Sequence, residues 1–172
     1  MSRVSRIDYR SLPEPLRAVA ESLPDLNFVR VMFHARASAG CLFELLASVH
    51  AHQRLDQRLR ELAILRVATL SGADYIWEQH LDIARQAGVS EEEVRLVASG
   101  ATYGALGDLE AAVLDYTDEV TCEVRASGKS FAGLRARLTE REIVELTLTI
   151  ALYGMIARLM RSLDVPLETT RK

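Results

Sequence analysis

The chain has 172 residues, of which 49% are hydrophobic, and its formal net charge at pH 7 is −3. That length and apolar content allow one buried core, while the weak charge excludes the basic footprint typical of proteins that bind nucleic acid or anionic membranes. The first residues lack the apolar core of a signal peptide, and no uninterrupted apolar run could span a bilayer, so we expect a cytoplasmic protein.

The N-terminal segment, residues 1–27, contains three of the four prolines, which predicts an irregular arm with one short helix from Leu16 to Ser22. From Phe28 to His50, apolar residues recur at helical spacing. This pattern predicts one long helix bent at Gly40, or two shorter helices. We expect residues 28–172 to form a single helical domain after the arm.

Capping residues mark the helices in the middle of the chain. Asp56 is suited to cap a helix that ends at Ser71–Gly72, and the next helix is expected to end at Ala87–Gly88. Two capping boxes follow, Ser90–Glu93 and Thr139–Glu142. They predict a short helix ending near Gly100 and a long one ending near Leu163, with a helix from about Leu109 to Ser127 and a turn or two over Phe131–Arg137 between them.

The whole chain favours the all-α class. No segment alternates apolar and polar residues with β-branched enrichment, and the turn residues are those of helix caps rather than hairpins. We therefore predict a compact bundle of several helices. The two cysteines, Cys41 and Cys122, fit no redox or metal-binding spacing, so we expect reduced thiols and neither a metal ion nor a cofactor.

Two ionisable residues lie on otherwise apolar helical faces in the segment from Arg60 to Gly88. The face of Glu61 also carries Ile64, Leu65 and Ala68. The face of His80 is apolar at every other position. A buried carboxylate or imidazole is costly without a hydrogen-bond partner, and the glycine at position 72 allows the two helices to fold back on each other. We therefore predict a hydrogen bond between Glu61 and His80, direct or through one water.

Simpler interpretations remain open for both residues. The carboxylate of Glu61 could instead form an ion pair with one of three nearby arginines, Arg58, Arg60 or Arg66. His80 could be a core histidine whose bond to Glu61 only satisfies two buried polar groups.

Two stretches resemble the carboxymuconolactone decarboxylase and alkylhydroperoxidase D-like family. They are LDQRLRELAILRVATLSGADYIWEQHLDIARQAGVSEEEV and LTEREIVELTLTIALYGMIARLMRSLDVPLE. In the peroxidase branch, a Glu precedes Cys-x-x-Cys-x-x-x-His by a spacing that Glu61 and His80 reproduce. The cysteine positions are occupied by Ala73 and Ile76, so the chain resembles a branch without the redox pair. The resemblance implies an AhpD-like bundle.

Because the chain lacks the thiol pair, the resemblance implies acid–base chemistry rather than thiol chemistry. It implies a cofactor-free lyase or isomerase of the carboxymuconolactone decarboxylase type, acting on a small lactone or unsaturated carboxylic acid in the catabolism of aromatic compounds. His80 would carry the proton and Glu61 would be its partner. One alternative is a hydroperoxide-linked thiol oxidoreductase, which the absent CxxC disfavours. Another is a non-catalytic oligomer that binds a small acid.

Four further residues are candidates for substrate contacts. Tyr75 and Trp77 flank His80 in sequence, although aromatic residues there are more often core or interface residues. His34 and Arg158 lie in stretches that resemble the family, and Arg158 could hold a substrate carboxylate. Its alternative role is that of a cation near a helix C-terminus. Tyr153-Gly154-Met155 stands where many relatives have Tyr-Asn-Met.

The helix from Glu142 to Leu163 has more apolar residues than one buried face can hold. A contiguous apolar band on a small domain usually marks an interface. We therefore expect a symmetric homo-oligomer, a trimer or a hexamer, with the pocket near a subunit boundary. The alternative is that residues 1–27 cover this helix within the same chain.

Overall fold

A computed structural model describes residues 2–100 and 102–168. Within those ranges it contains nine α-helices and no β-strand, which confirms the all-α class. Two single 3-10 turns, Tyr9–Ser11 and Tyr103–Ala105, accompany them. The helices are α1 (Leu16–Ser22), α2 (Asn27–Met32), α3 (Arg36–Ala51), α4 (Gln57–Ser71), α5 (Asp74–Gln86), α6 (Glu91–Ser99), α7 (Asp108–Glu123), α8 (Gly128–Arg135) and α9 (Glu140–Ser162).

The chain divides into two compact units, the first formed by the described parts of Met1–His52 and Met160–Lys172 and the second by Gln53–Leu159. The first unit has an aromatic core in which Phe43 packs against Phe28 and Phe33, with ring centroids 5.5 and 5.9 Å apart. The backbone N–H of Arg3 donates to the carbonyl of Leu163 at 2.8 Å, so the two chain segments of this unit are directly bonded. The predicted arm boundary at residue 27 stays a prediction.

The segment from Phe28 to His50 contains two helices, with the break at residues 33–35 rather than at Gly40. Phe33 is fully buried and forms the C-cap of α2, so burial of its ring in the aromatic core fixes the position of the turn. Gly40 lies inside α3, where a Cβ would meet no atom within 4 Å. The glycine is therefore not needed for a bend.

The second unit is built around α4. Every residue from Leu59 to Ala68 is buried, and α4 packs against α5, α6 and α7. A helix buried on all sides is a core helix. It follows that the polar side chains on α4, including Glu61, must find their partners inside the protein.

The predicted caps of the second unit are present. The Asp56 side chain accepts bonds from the backbone N–H groups of Arg58 and Leu59, and Gly72 ends α4 with a left-handed φ of 58°. Both capping boxes, at Ser90–Glu93 and at Thr139–Glu142, are formed. These local hydrogen bonds fix where the helices begin and end.

The helix predicted to reach Ser127 ends earlier, at Glu123, because the chain turns there to start α8. Val124 takes a left-handed φ of 61°, and the Ser127 hydroxyl accepts from the backbone N–H of Ser130 as the N-cap of α8. The side chain of Glu119 accepts from the backbone N–H of Ser127 at 2.5 Å. Ser127 therefore caps the next helix instead of ending α7.

Helix α9 has an inner and an outer apolar face. Leu146, Ile150 and Tyr153 are buried, whereas Val144, Leu148 and Met155 are 66%, 41% and 41% exposed. Among the described residues, α9 alone is long and apolar enough to cross a bilayer, but 56% of its most apolar window is buried inside the protein. Such burial is typical of a core helix, so α9 gives no positive evidence for a membrane protein.

Substituting Gly72 and Gly40 by alanine should change stability in opposite directions. Gly72→Ala places a Cβ on a left-handed residue and should lower the free energy of unfolding by about 1–2 kcal/mol. Gly40→Ala, in an open helix interior, should raise it by about 0.5–1 kcal/mol. Urea denaturation of both variants measures the difference, and equal effects would show that the turn after α4 does not need its left-handed residue.

Candidate active site

The α4–α5 hairpin brings Glu61 and His80 together. After Gly72 the chain reverses at once, with the backbone N–H of Ala73 donating to the carbonyl of Ala68 at 2.8 Å. His80 Nδ1 then lies 2.7 Å from Glu61 Oε2. This contact confirms the hydrogen bond predicted from the two apolar faces.

Both members of the pair are removed from water. Glu61 has no exposed surface, and His80 is 8% exposed. We assign Nδ1 as the donor in this contact, because a carboxylate oxygen accepts hydrogen bonds. The second ring nitrogen, Nε2, is the one that does not face Glu61.

Of the three arginines considered as ion-pair partners of Glu61, Arg60 does form an ion pair with it, and the other two bind other carboxylates. Arg58 binds Glu93 and Glu110. Arg60, also buried, approaches Glu61 with its Nε 3.4 Å from Oε1, a longer contact than that of His80. Glu61 thus has a short bond to the imidazole and a long one to a guanidinium.

The third arginine, Arg66, joins α4 to its neighbours. It donates to both oxygens of Asp118 at 2.6 and 2.9 Å and to the carbonyl of Val97 at 3.0 Å. The phenol of Tyr103 also donates to Asp118. Burial raises the pKa of this phenol, and the Asp118 carboxylate raises it further. Arg66 is therefore used in fixing α4 against α6 and α7, not in the pair.

Tyr153 on α9 is a neighbour of the pair that the sequence analysis did not assign to the site. Its ring centroid lies 4.9 Å from that of His80, and the two ring planes are nearly perpendicular at 89°. Tyr153 is only 3% exposed. A polar-tipped residue on the buried face of α9 is the same signal that identified His80, and it could have pointed to Tyr153.

The positions that hold thiols in the peroxidase branch are apolar in this chain. Ala73 and Ile76 are each 2% exposed, and Ile76 lies one helical turn before His80. Cys41 and Cys122 are free and exposed. Within the described residues, no group of three His, Cys, Asp or Glu side chains is arranged to hold a metal ion.

The other predicted contact residues have varied surroundings. Tyr75 is buried and Trp77 half-buried on α5, where helical spacing places Trp77 beside His80. His34, in the first unit, is exposed and its Nε2 lies 2.8 Å from the carbonyl oxygen of Ser5. Arg158 is exposed and donates to the carbonyl of Gly154 on its own helix at 2.8 Å. Their roles in binding substrate stay predictions.

An apolar groove of about 520 Å³ lies elsewhere in the second unit, along α7, α8 and α9. Its lining includes Phe131, Val144 and Leu148, and neither Glu61 nor His80 contributes to it. The groove and the pair are therefore separate features of the second unit.

The carboxymuconolactone decarboxylase family model matches residues 35–119, which contain both Glu61 and His80. No curated protein matches the chain in sequence.

Solved structures with the same fold cover nearly the whole chain. An uncharacterized peroxidase-related protein with an alkylhydroperoxidase AhpD core, from Ralstonia eutropha JMP134, is 16% identical with a TM-score of 0.83 and covers 98% of this chain and 93% of its own. A peroxidase-related protein from Silicibacter sp. TM1040 is 13% identical with a TM-score of 0.82, covering 98% and 92%.

A variant of the debrominase Bmp8 in complex with 2,3,4-tribromopyrrole is 18% identical with a TM-score of 0.77, and covers 98% of this chain and 95% of its own. At these identities the similarity establishes a common fold. The segment that holds the pair, residues 35–119, therefore belongs to the carboxymuconolactone decarboxylase family, and the chain has an AhpD-like fold.

Proposed function

We propose that the protein is a cofactor-free lyase or isomerase that acts on a small lactone or unsaturated carboxylic acid by proton transfer. The observation that carries this proposal is the 2.7 Å contact between His80 Nδ1 and Glu61 Oε2 inside the core. Glu61 holds one nitrogen of the imidazole, and Nε2 exchanges the proton with the substrate. His80 is thus the proton carrier and Glu61 its partner.

Decarboxylation of a lactone acid would proceed in two balanced steps. The bond between the carboxylate carbon and the ring breaks, carbon dioxide leaves, and its electron pair remains on the ring as an enolate. Protonated His80 then donates the Nε2 proton to a carbon of that enolate and is reprotonated from solvent. An isomerisation would use the same nitrogen, first as base and then as acid.

The surroundings of His80 favour a substrate with a compact apolar ring. Ala73 and Ile76 lie on the same helical stripe and offer no polar group. Trp77, half-buried on that stripe, is the aromatic residue best placed to contact a ring. The debrominase Bmp8, which has the same fold, is known in complex with a small ring compound. These features support an unsaturated ring as the substrate class.

Thiol-dependent peroxidase chemistry is disfavoured by the same two positions. That reaction needs a nucleophilic thiolate and a second thiol to resolve it, and neither alanine nor isoleucine can supply one. The proposed location is the cytoplasm, where the exposed Cys41 and Cys122 would remain reduced.

His80→Gln should abolish turnover without unfolding the protein. Glutamine can keep a hydrogen bond to Glu61 but cannot carry a proton, so kcat/KM should fall by about 100-fold or more. Turnover is measured on a panel of small lactones and unsaturated acids that begins with carboxymuconolactone, by NMR of substrate and product.

His52→Gln is the matched control, since His52 is an exposed histidine at the end of α3 and should leave turnover unchanged. A His80→Gln protein with turnover within twofold of wild type would contradict the role of the imidazole. Binding of these acids without any turnover by the wild-type protein would favour the non-catalytic alternative.

We also propose that the protein assembles as a symmetric homo-oligomer, a trimer or hexamer, through the outer face of α9. The support is the exposed apolar group Val144, Leu148 and Met155, which recurs at helical spacing along α9 and continues into the groove beside Phe131. Apolar residues grouped in this way are typical of an interface between subunits.

The double substitution Val144→Glu and Leu148→Glu should convert the assembly to monomers, because it would bury charges at the proposed contact. Size-exclusion chromatography with light scattering gives the mass. Val124→Glu, at an 82% exposed position after α7, is the control and should leave the mass unchanged. A wild-type protein that elutes only at the monomer mass would rule out the assembly.

A further inference from the structure

The exposed apolar residues of α9 form one narrow seam along the helix. They are Val144, Leu148, Ala151 and Met155, and they follow one another at spacings of four, three and four positions. Alternation of these two spacings is typical of the line along which two helices pair. Between positions 143 and 157, a stretch that the structure describes throughout, every exposed residue of α9 belongs to this seam. The seam therefore has the width that one further helix would cover.

The two ends of the seam carry opposite charges. At the N-terminal end, the Glu140 side chain is 89% exposed, and its ion pair with Arg135 is long, at 3.9 Å. At the C-terminal end, Arg158 and Arg161 are exposed. A guanidinium has five N–H donors, so a bond from Arg161 to another molecule is compatible with bonds inside its own chain. The seam thus presents a carboxylate at one end and guanidinium groups at the other.

These charges favour an antiparallel arrangement of two copies of α9. A parallel pair would bring like-charged ends together, whereas an antiparallel pair places Glu140 of each copy near Arg161 of the other and opposes the two helix dipoles. Glu140 and Arg161 lie three heptads apart on the same side of the seam. The midpoint between them falls next to Ala151, whose small side chain lets two helices approach closely. The apolar and charged residues therefore favour the same register.

The antiparallel register also provides an occupant for the groove along α7, α8 and α9. It places Met155 of the second copy opposite residues 144–148, which line the groove beside the exposed ring of Phe131. Methionine is flexible and fills irregular apolar spaces well. Each copy would thus cover the exposed apolar surface of the other.

We propose that α9 pairs antiparallel with α9 of a second copy about a twofold axis near Ala151, with Met155 of each copy in the groove of the other. This inference rests on the homo-oligomer proposed above and names its contact. A trimer has no twofold axis, whereas a hexamer built from two trimers has three. The pairing therefore selects the hexamer of these two assemblies.

Cross-linking between engineered cysteines tests the register in the full-length protein. In a background with Cys41→Ser and Cys122→Ser, both exposed thiols, Glu140→Cys and Arg161→Cys chains with different tags are expressed together and treated with a short bismaleimide. A covalent dimer containing one chain of each type is expected. Neither variant should cross-link to itself, because antiparallel pairing separates like positions by about 30 Å. Ala151→Cys, near the axis, should cross-link to itself.

Charge reversal tests the same contact without cysteines. Glu140→Arg should raise the dissociation constant of the assembly about tenfold or more, because it brings like charges together. Adding Arg161→Glu to this variant should restore most of the association, since opposite charges again face each other. Light scattering over a dilution series measures both changes. Glu92→Arg, at an exposed position on α6, is the matched control and should leave the association unchanged.

Cross-linking of each end variant to itself would overturn the proposal, because it would show that like ends of α9 meet. An oligomer that forms no mixed cross-link would remove the antiparallel pairing and leave the proposed homo-oligomer standing. A wild-type protein found only at the monomer mass would remove both.

Discussion

The burial of the Glu61 carboxylate is the constraint on which the rest of the second unit depends. A carboxylate with no exposed surface loses its hydration and is tolerated only with close polar partners. The α4–α5 turn at Gly72 supplies His80 as that partner, and Arg60 adds a longer contact. The other arginines of α4 are used in ion pairs with α6 and α7, which keep the helix in place around the pair.

The sequence predicted those features of the second unit that depend on residues close together in the chain. Asp56 and Gly72 act on backbone groups within a few residues, so the limits of α4 follow from their chemistry. Glu61 and His80 were identified because each interrupts an apolar face on consecutive helices. Tyr153 carries the same local signal, a polar tip on a buried helical face, but its contact with His80 depends on how α9 packs against α5, and the sequence does not encode that locally.

The misplaced helix limits have the same origin. The break between α2 and α3 follows burial of Phe33 in an aromatic core built from distant residues, whereas Gly40, the local signal, has no such role. The fold itself does not decide the chemistry, since two peroxidase-related proteins and a debrominase share it. Positions 73 and 76 are alanine and isoleucine in this chain. The site therefore contains the Glu61 carboxylate and the His80 imidazole but no thiol pair.

The most direct test of proton transfer by this pair is a crystal structure of the protein soaked with carboxymuconolactone or a saturated analogue that cannot lose carbon dioxide. We predict that the ring carbon to be protonated lies about 3–3.5 Å from His80 Nε2, with Nδ1 still bonded to Glu61. A ligand found only in the groove along α7, α8 and α9, with the surroundings of His80 empty of it, would contradict the assignment of His80 as the proton carrier.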